Sequence, residues 1–229
     1  MQVNALDHVA LWVADRDRLA DLLCRHLGMH VIDRTDDFTL VGADARRGKL
    51  TLFAAEGPRD PGVLERVVLR VSELESALAE LPPDLEVERG DDGLARFEAS
   101  EGLGLGLVER SGVEVEYDID HVVLRVPEPD RTAGSLAELG LSPDADGRLT
   151  VGDKSVSLVR ADAMEGESPL LNHIALLVDS GRDQLEEAKR RGIEVAEVRD
   201  AANTFAVFVW GPDRIKLEYV EHKPTFSLV

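Results

Sequence analysis

The chain has 229 residues, with 45 acidic and 26 basic side chains and a formal charge of −19 when histidine is neutral. That balance excludes a grip on phosphate backbones and disfavours an anionic membrane surface, because both depend on Lys and Arg. An apolar content of 44% is enough for a core, and Cys24, the single cysteine, excludes an internal disulfide or a cysteine metal cluster. No run approaches the ~18 consecutive apolar residues of a membrane span, and no basic-then-apolar leader opens the sequence. The expectation is a soluble, cytoplasmic, globular protein that binds neither nucleic acid nor membrane.

One apolar octet occurs four times along the chain. It reads Leu6-Asp7-His8-Val9-Ala10-Leu11-Trp12-Val13, then Leu64-Glu65-Arg66-Val67-Val68-Leu69-Arg70-Val71. The third copy is Ile119-Asp120-His121-Val122-Val123-Leu124-Arg125-Val126, and the fourth is Leu171-Asn172-His173-Ile174-Ala175-Leu176-Leu177-Val178. Such short aliphatic, β-branched runs predict buried strands. Apolar residues at helical spacing follow each octet. Arg18 to Leu27 stops at Gly28, a segment after Ser72 stops at Pro82-Pro83, Leu136 and Leu139 precede Gly140, and Leu185 and Ala188 precede Gly192. Ser72 and Glu75 have the spacing of a capping box. Each unit then alternates through Gly-, Asp- and Asn-broken segments to a closing strand: Leu50 to Ala54, Leu103 to Val108, Ser155 to Val159 and Ile215 to Val220.

The predicted fold class is therefore α+β, with four tandem βαβββ modules. One module cannot bury both its sheet and its helix, so modules are expected to pair into two cup-shaped domains. The polar stretch from Arg110 to Glu116 is the expected seam, giving domains at 1–112 and 113–229. This layout resembles the vicinal oxygen chelate superfamily, which includes glyoxalase I, bleomycin- and fosfomycin-resistance proteins and type I extradiol dioxygenases. The four-module, two-domain form is most similar to the extradiol dioxygenases.

Alternate strand residues share a face, so the third position of every octet projects from a common face: His8, Arg66, His121 and His173. On the closing strands the matching positions are Thr51, Gly106, Ser157 and Glu218. Pairing modules three and four would gather His121, His173 and Glu218 in one cup. Two imidazoles and one carboxylate with vacant positions form the face that suits non-haem Fe(II), and the resemblance implies the same three ligand roles. Fe(II) is the expected cofactor, with Mn(II) or another divalent metal as alternatives. His8 is expected to be structural, in a domain without a metal. Gly102 to Gly106 lacks the phosphate-cradling GxGxxG pattern and is read as a closing strand.

Phe208 to Glu218 resembles the extradiol signature, an aromatic residue followed by a Pro-containing turn and a ligand Glu. Phe208 and Trp210 are expected to form an apolar wall beside the metal, with Asn203 as a polar contact to substrate. The chain departs from the family pattern in having Phe208 where Tyr is usual, Arg199 where His is usual, and no His between Leu141 and Arg160. His222 is the nearby histidine left to handle a proton. The resemblance thus implies an extradiol-dioxygenase-like mononuclear Fe(II) enzyme acting on a small aromatic diol or related compound, with O2 as a candidate second substrate. The alternatives are a glyoxalase-like metal-dependent isomerase or lyase, and a small-molecule binding protein of the resistance type. Assembly as a homo-oligomer is compatible with each.

Overall fold

The computed structural model describes residues 1–162 and 168–228. Module one comprises β1 (Ala5–Val13), α1 (Arg16–His26), β2 (His30–Arg34), β3 (Phe38–Gly42) and β4 (Lys49–Ala54). Module two comprises β5 (Leu64–Val71), α2 (Leu74–Ala79), β6 (Glu88–Arg89), β7 (Leu94–Glu98) and β8 (Gly104–Glu109). Module three comprises β9 (Asp118–Val126), α3 (Pro129–Glu138), β10 (Ser142–Pro143), β11 (Leu149–Val151) and β12 (Lys154–Arg160). Module four comprises β13 (Leu171–Leu177), α4 (Gly181–Arg191), β14 (Val195–Asp200), β15 (Thr204–Trp210) and β16 (Lys216–His222). The four βαβββ units expected from the repeats are present.

Local chemistry sets the helix ends. The Asp15 carboxylate accepts from the Arg18 N–H at the start of α1, and the Ser180 hydroxyl accepts from the Asp183 N–H at the start of α4. Gly192 closes α4 at φ +69°, a left-handed conformation that glycine adopts without a Cβ penalty. The capping box expected at Ser72 does not form. Glu73 is the N-cap and makes no side-chain cap bond. Glu116 instead accepts from the Ser72 N–H and Glu109 from the Leu74 N–H, so carboxylates distant in sequence satisfy these donors.

The strands form two eight-stranded sheets, ordered β14-β15-β16-β13-β1-β4-β3-β2 and β10-β11-β12-β9-β5-β8-β7-β6. In the first, β1 and β13 meet antiparallel at the centre, and each has its own closing strand, β4 or β16, parallel on its other side. The second repeats this arrangement with β5 and β9 at the centre, flanked by β8 and β12. Module one therefore pairs with module four, and module two with module three. This corrects the expected division at 1–112 and 113–229, since each sheet takes two modules from opposite sides of that boundary. The reason is that the four octets offer nearly interchangeable apolar strand edges. The polar Arg110–Glu116 stretch marks a connection between neighbours inside the second sheet.

One continuous hydrophobic core joins the two sheets and the helices, from Leu6, Val9 and Leu19 to Val67, Ile119, Leu136 and Tyr219. A buried ionic clasp crosses between the sheets. Lys154 Nζ lies 2.8 Å from Asp118 Oδ1 and also donates to the Leu6 carbonyl at 3.2 Å, while the Gly48 N–H donates to the same Asp118 oxygen at 2.7 Å. Among the described residues no helix is long and apolar enough to cross a membrane.

Candidate metal centre

The strand register explains which side chains meet. Ala10 of β1 is paired with Thr51 of β4 and with His173 of β13. By the pseudo-two-fold relation, Ala175 of β13 is paired with Glu218 of β16 and with His8 of β1. His8, His173, Thr51 and Glu218 therefore occupy related positions on the face turned away from the core. His8 Nε2 lies 3.2 Å from His173 Nε2, and Glu218 Oε2 lies 2.8 Å from His173 Nε2 and 3.3 Å from His8 Nε2. The three ligand atoms fall within 4.8 Å of one another. His173 and Glu218 are only 3% and 6% exposed.

A second set of groups fixes both rings. His8 Nδ1 is 2.8 Å from Asp7 Oδ2, and His173 Nδ1 is 3.0 Å from Asn172 Oδ1. Acceptors on both Nδ1 atoms place the ring N–H there and turn each Nε2 toward the centre. Two imidazole nitrogens and a carboxylate oxygen then converge with no donor between them, an arrangement that calls for a cation. Without a metal, that cation is a proton. Burial alone would lower the His8 pKa, but hydrogen bonds with Asp7 and Glu218 carry it up to about 9. Burial lowers that of His173, with His8 adding to the effect against Glu218. Burial opposes ionisation of Glu218, yet His173 and His8 hold it well below the usual carboxylate range. Asp7 is likewise held low, since Lys49, His222 and His8 outweigh its burial. The donor set fits a divalent metal held by His8, His173 and Glu218, with Thr51 where a fourth carboxylate would otherwise stand.

These positions correct the expected ligand set. His121 lies on β9 in the other sheet, paired with Val68 and Ser155, and its Nδ1 faces Asp120 at 2.7 Å. Its own sheet offers Gly106 and Ser157 at the closing-strand positions and Arg66 at the paired octet, so among the described residues no carboxylate completes a site there. His8, expected to be structural, takes the place assigned to His121. The common face of the octets is as expected; the sheet pairing decides which imidazoles meet.

A cavity of about 370 Å³ opens beside this centre, with Leu40, Thr51, Phe53, Asn203, Phe208 and His222 among its lining residues. Phe208 meets the His173 ring edge-on with centroids 5.1 Å apart. Asn203 lines the cavity, while its Oδ1 accepts from the Ser227 N–H at 3.4 Å. Trp210 is not part of the wall. It is 41% exposed, with Lys216 Nζ 5.7 Å from its ring centroid. His222 does reach the cavity, its Nε2 3.1 Å from Asp7 Oδ1 and its ring stacked on Phe226 at 4.2 Å. Tyr219 faces the other way and donates to the Leu139 carbonyl at 2.7 Å. Asp7 is a site residue that the octet register alone does not single out. Its signal was the acceptor that precedes each octet histidine: Asp7, Asp120 and Asn172.

Residues 5–90 match the family model described as the Glyoxalase/Bleomycin resistance protein/Dioxygenase superfamily. The chain is similar to a candidate dioxygenase from Bacillus subtilis subsp. subtilis str. 168, with 18% identity and a TM-score of 0.80, covering 98% of this chain and 87% of that one. It is also similar to glyoxalase I from Zea mays, with 16% identity and a TM-score of 0.73, covering 95% and 92%. The cppA protein from Streptococcus pneumoniae TIGR4 aligns at 15% identity and a TM-score of 0.63, covering 96% and 100%. A comparison of the sequence with curated proteins gave no match. Residues 5–90 thus match the glyoxalase/bleomycin resistance/dioxygenase superfamily, also called vicinal oxygen chelate, and the whole chain has the paired-module fold of the structures it resembles.

Proposed function

We propose that the protein is a mononuclear, Fe(II)-dependent, dioxygenase-like enzyme for a small aromatic diol or a related compound with two adjacent oxygens. The observation that carries this reading is the convergence of His8, His173 and Glu218, with Thr51 rather than a second carboxylate at the pseudo-symmetric position. Three protein ligands on one side leave the other side open, as oxygen-activating non-haem iron requires. Bound there, Fe(II) would supply neighbouring positions for the two substrate oxygens and for O2.

The surrounding residues support the reading through their own chemistry. The cavity volume is within the range of small-molecule sites. Phe53, Phe208 and Leu40 offer an apolar wall to an aromatic ring. His222 is the cavity histidine positioned to take a proton from a substrate hydroxyl. The Asp7 carboxylate holds it on one side and the His8 ring on the other, and Lys49 at 2.7 Å keeps that carboxylate ionised.

The test is metal analysis of protein purified without a His tag, followed by oxygen uptake with a catechol under full iron loading. One iron per chain and catechol-dependent uptake are expected. A bound metal without oxygen uptake favours the glyoxalase-like isomerase or lyase. Absence of stoichiometric metal favours a binding protein and overturns the enzyme reading.

A further inference from the structure

The second sheet repeats the positions of the metal centre with other residues, Arg66 and His121 on the octets and Gly106 and Ser157 on the closing strands. Arg66 occupies the octet position held by His8 and His173 in the first sheet. Gly106, paired with Val68, occupies the closing-strand position held by Thr51 and Glu218. A Cβ on Gly106 would stand 3.1 Å from Arg66 Cδ, so the glycine leaves room for the arginine stem. Arg96 and Arg125 join Arg66 in lining a cavity of about 820 Å³.

Arg96 is tied to Asp92 and to the Leu94 carbonyl, whereas Arg66 and Arg125 each keep a donor without a partner among the described residues. The Arg66 side chain is 17% exposed and, among the described residues, its one carboxylate partner is Glu65, at 3.3 Å. The Nε atoms of Arg66 and Arg125 are buried and find no acceptor among the described residues. Burial first, and Arg96 among the neighbours, push the Arg66 pKa below its ordinary value against the pull of Glu65. Glu86, Glu88 and Glu98 border the same cavity but are exposed. Solvent screens those carboxylates more than it screens the half-buried arginines. Their negative rim disfavours a polyanion and admits a small ligand.

We propose that this cavity is a second ligand site, separate from the metal centre, that binds the carboxylate or phosphate oxyanion of a small molecule. Planar guanidinium forks match such oxyanions two bonds at a time. An oxyanion in the cavity would add an acceptor for the guanidinium groups of Arg66 and Arg125 that line it.

The experiment is calorimetric titration of the full chain with inorganic phosphate and, separately, with succinate, at ionic strength held constant with chloride. Saturable binding of at least one anion is expected. Arg66→Gln and Arg125→Gln should each weaken it about 10-fold or more, the loss of a charge-assisted hydrogen bond. His173→Ala, in the other sheet, should leave it unchanged. Binding of phosphate alone identifies a phosphate ester as ligand class, and binding of succinate alone identifies a carboxylate. Circular dichroism checks each variant, and Arg66→Lys, which keeps the charge but loses the fork, replaces Arg66→Gln if that variant does not fold. Three results would overturn the proposal: no saturable binding of either anion, binding unaffected in the arginine variants, or binding lost in His173→Ala.

Discussion

His8 Nε2 and His173 Nε2 lie 3.2 Å apart although 165 residues separate them in the chain. The contact exists because β1 and β13 are antiparallel neighbours at the centre of one sheet, each placing the third residue of its octet on the same face. Their meeting point, closed by Glu218, is where a cation is needed. Replacing His8, His173 or Glu218 by Ala should each remove most of the bound divalent metal, as measured by elemental analysis. His121→Ala should retain the full content. Metal loss in the His121 variant equal to that in the His8 variant would move the centre to the other sheet.

Asn172 holds His173 by a 3.0 Å contact to Nδ1. Asn172→Ala keeps all three ligands but frees that ring to rotate and change tautomer. Loss of such a supporting group typically costs about 10–100-fold in metal affinity. Competition against a chelator of known affinity should show a weakening in that range, and an unchanged affinity would mean the ring is held by packing alone.

The clasp at Asp118 predicts a pH dependence of stability. Burial would raise the Asp118 pKa, but Lys154 and Arg70 more than offset it and hold the group below its ordinary value of 3.8. A carboxylate depressed in the folded state stabilises the protein fully above that ordinary value. The contribution is withdrawn as pH falls below it, toward the lower folded value. Urea unfolding of the native chain should weaken over this acid range, and Asp118→Asn should flatten that dependence. At neutral pH the variant should be less stable by about 3–5 kcal/mol, because Lys154 is left buried without its counter-ion.

Phe208 and Trp210 share a face of β15 yet differ in environment. Phe208 is buried against His173, whereas Trp210 is open to solvent. Phe208→Ala should cost about 3 kcal/mol, the low end for a buried aromatic ring that borders a cavity. Trp210→Ala should stay within about 0.5 kcal/mol, as surface substitutions generally do. The urea midpoints of the two variants provide the check.

His222→Gln tests the proton-handling assignment. Iron content should be unchanged, because His222 reaches the centre only through Asp7. The kcat for catechol-dependent oxygen uptake should fall about 10²–10⁴-fold, the usual contribution of a general acid or base. Even the native chain should turn over simple catechol below about 10 s⁻¹, the median for enzymes, since Phe208 has no proton to give. A His222→Gln enzyme with undiminished kcat would remove that residue from the chemistry.

The sequence by itself determined everything that depends on local periodicity. The four octets had to be strands because their aliphatic runs are too short for helices. Their third positions had to share a face because strand side chains alternate. Glu218 had to point away from the core because Leu217 and Tyr219 on either side of it are core residues. The helix stops at Gly28 and Gly192 were equally legible. Only the tertiary structure decided which strands became neighbours. Octets one, three and four present similar apolar edges and similar Asp-His or Asn-His steps, so no local signal distinguishes a β1–β13 pair from a β9–β13 pair. That choice is made by long-range packing. It brought His8 rather than His121 to His173 and Glu218, and left Arg66 and Gly106 at the corresponding positions of the other sheet.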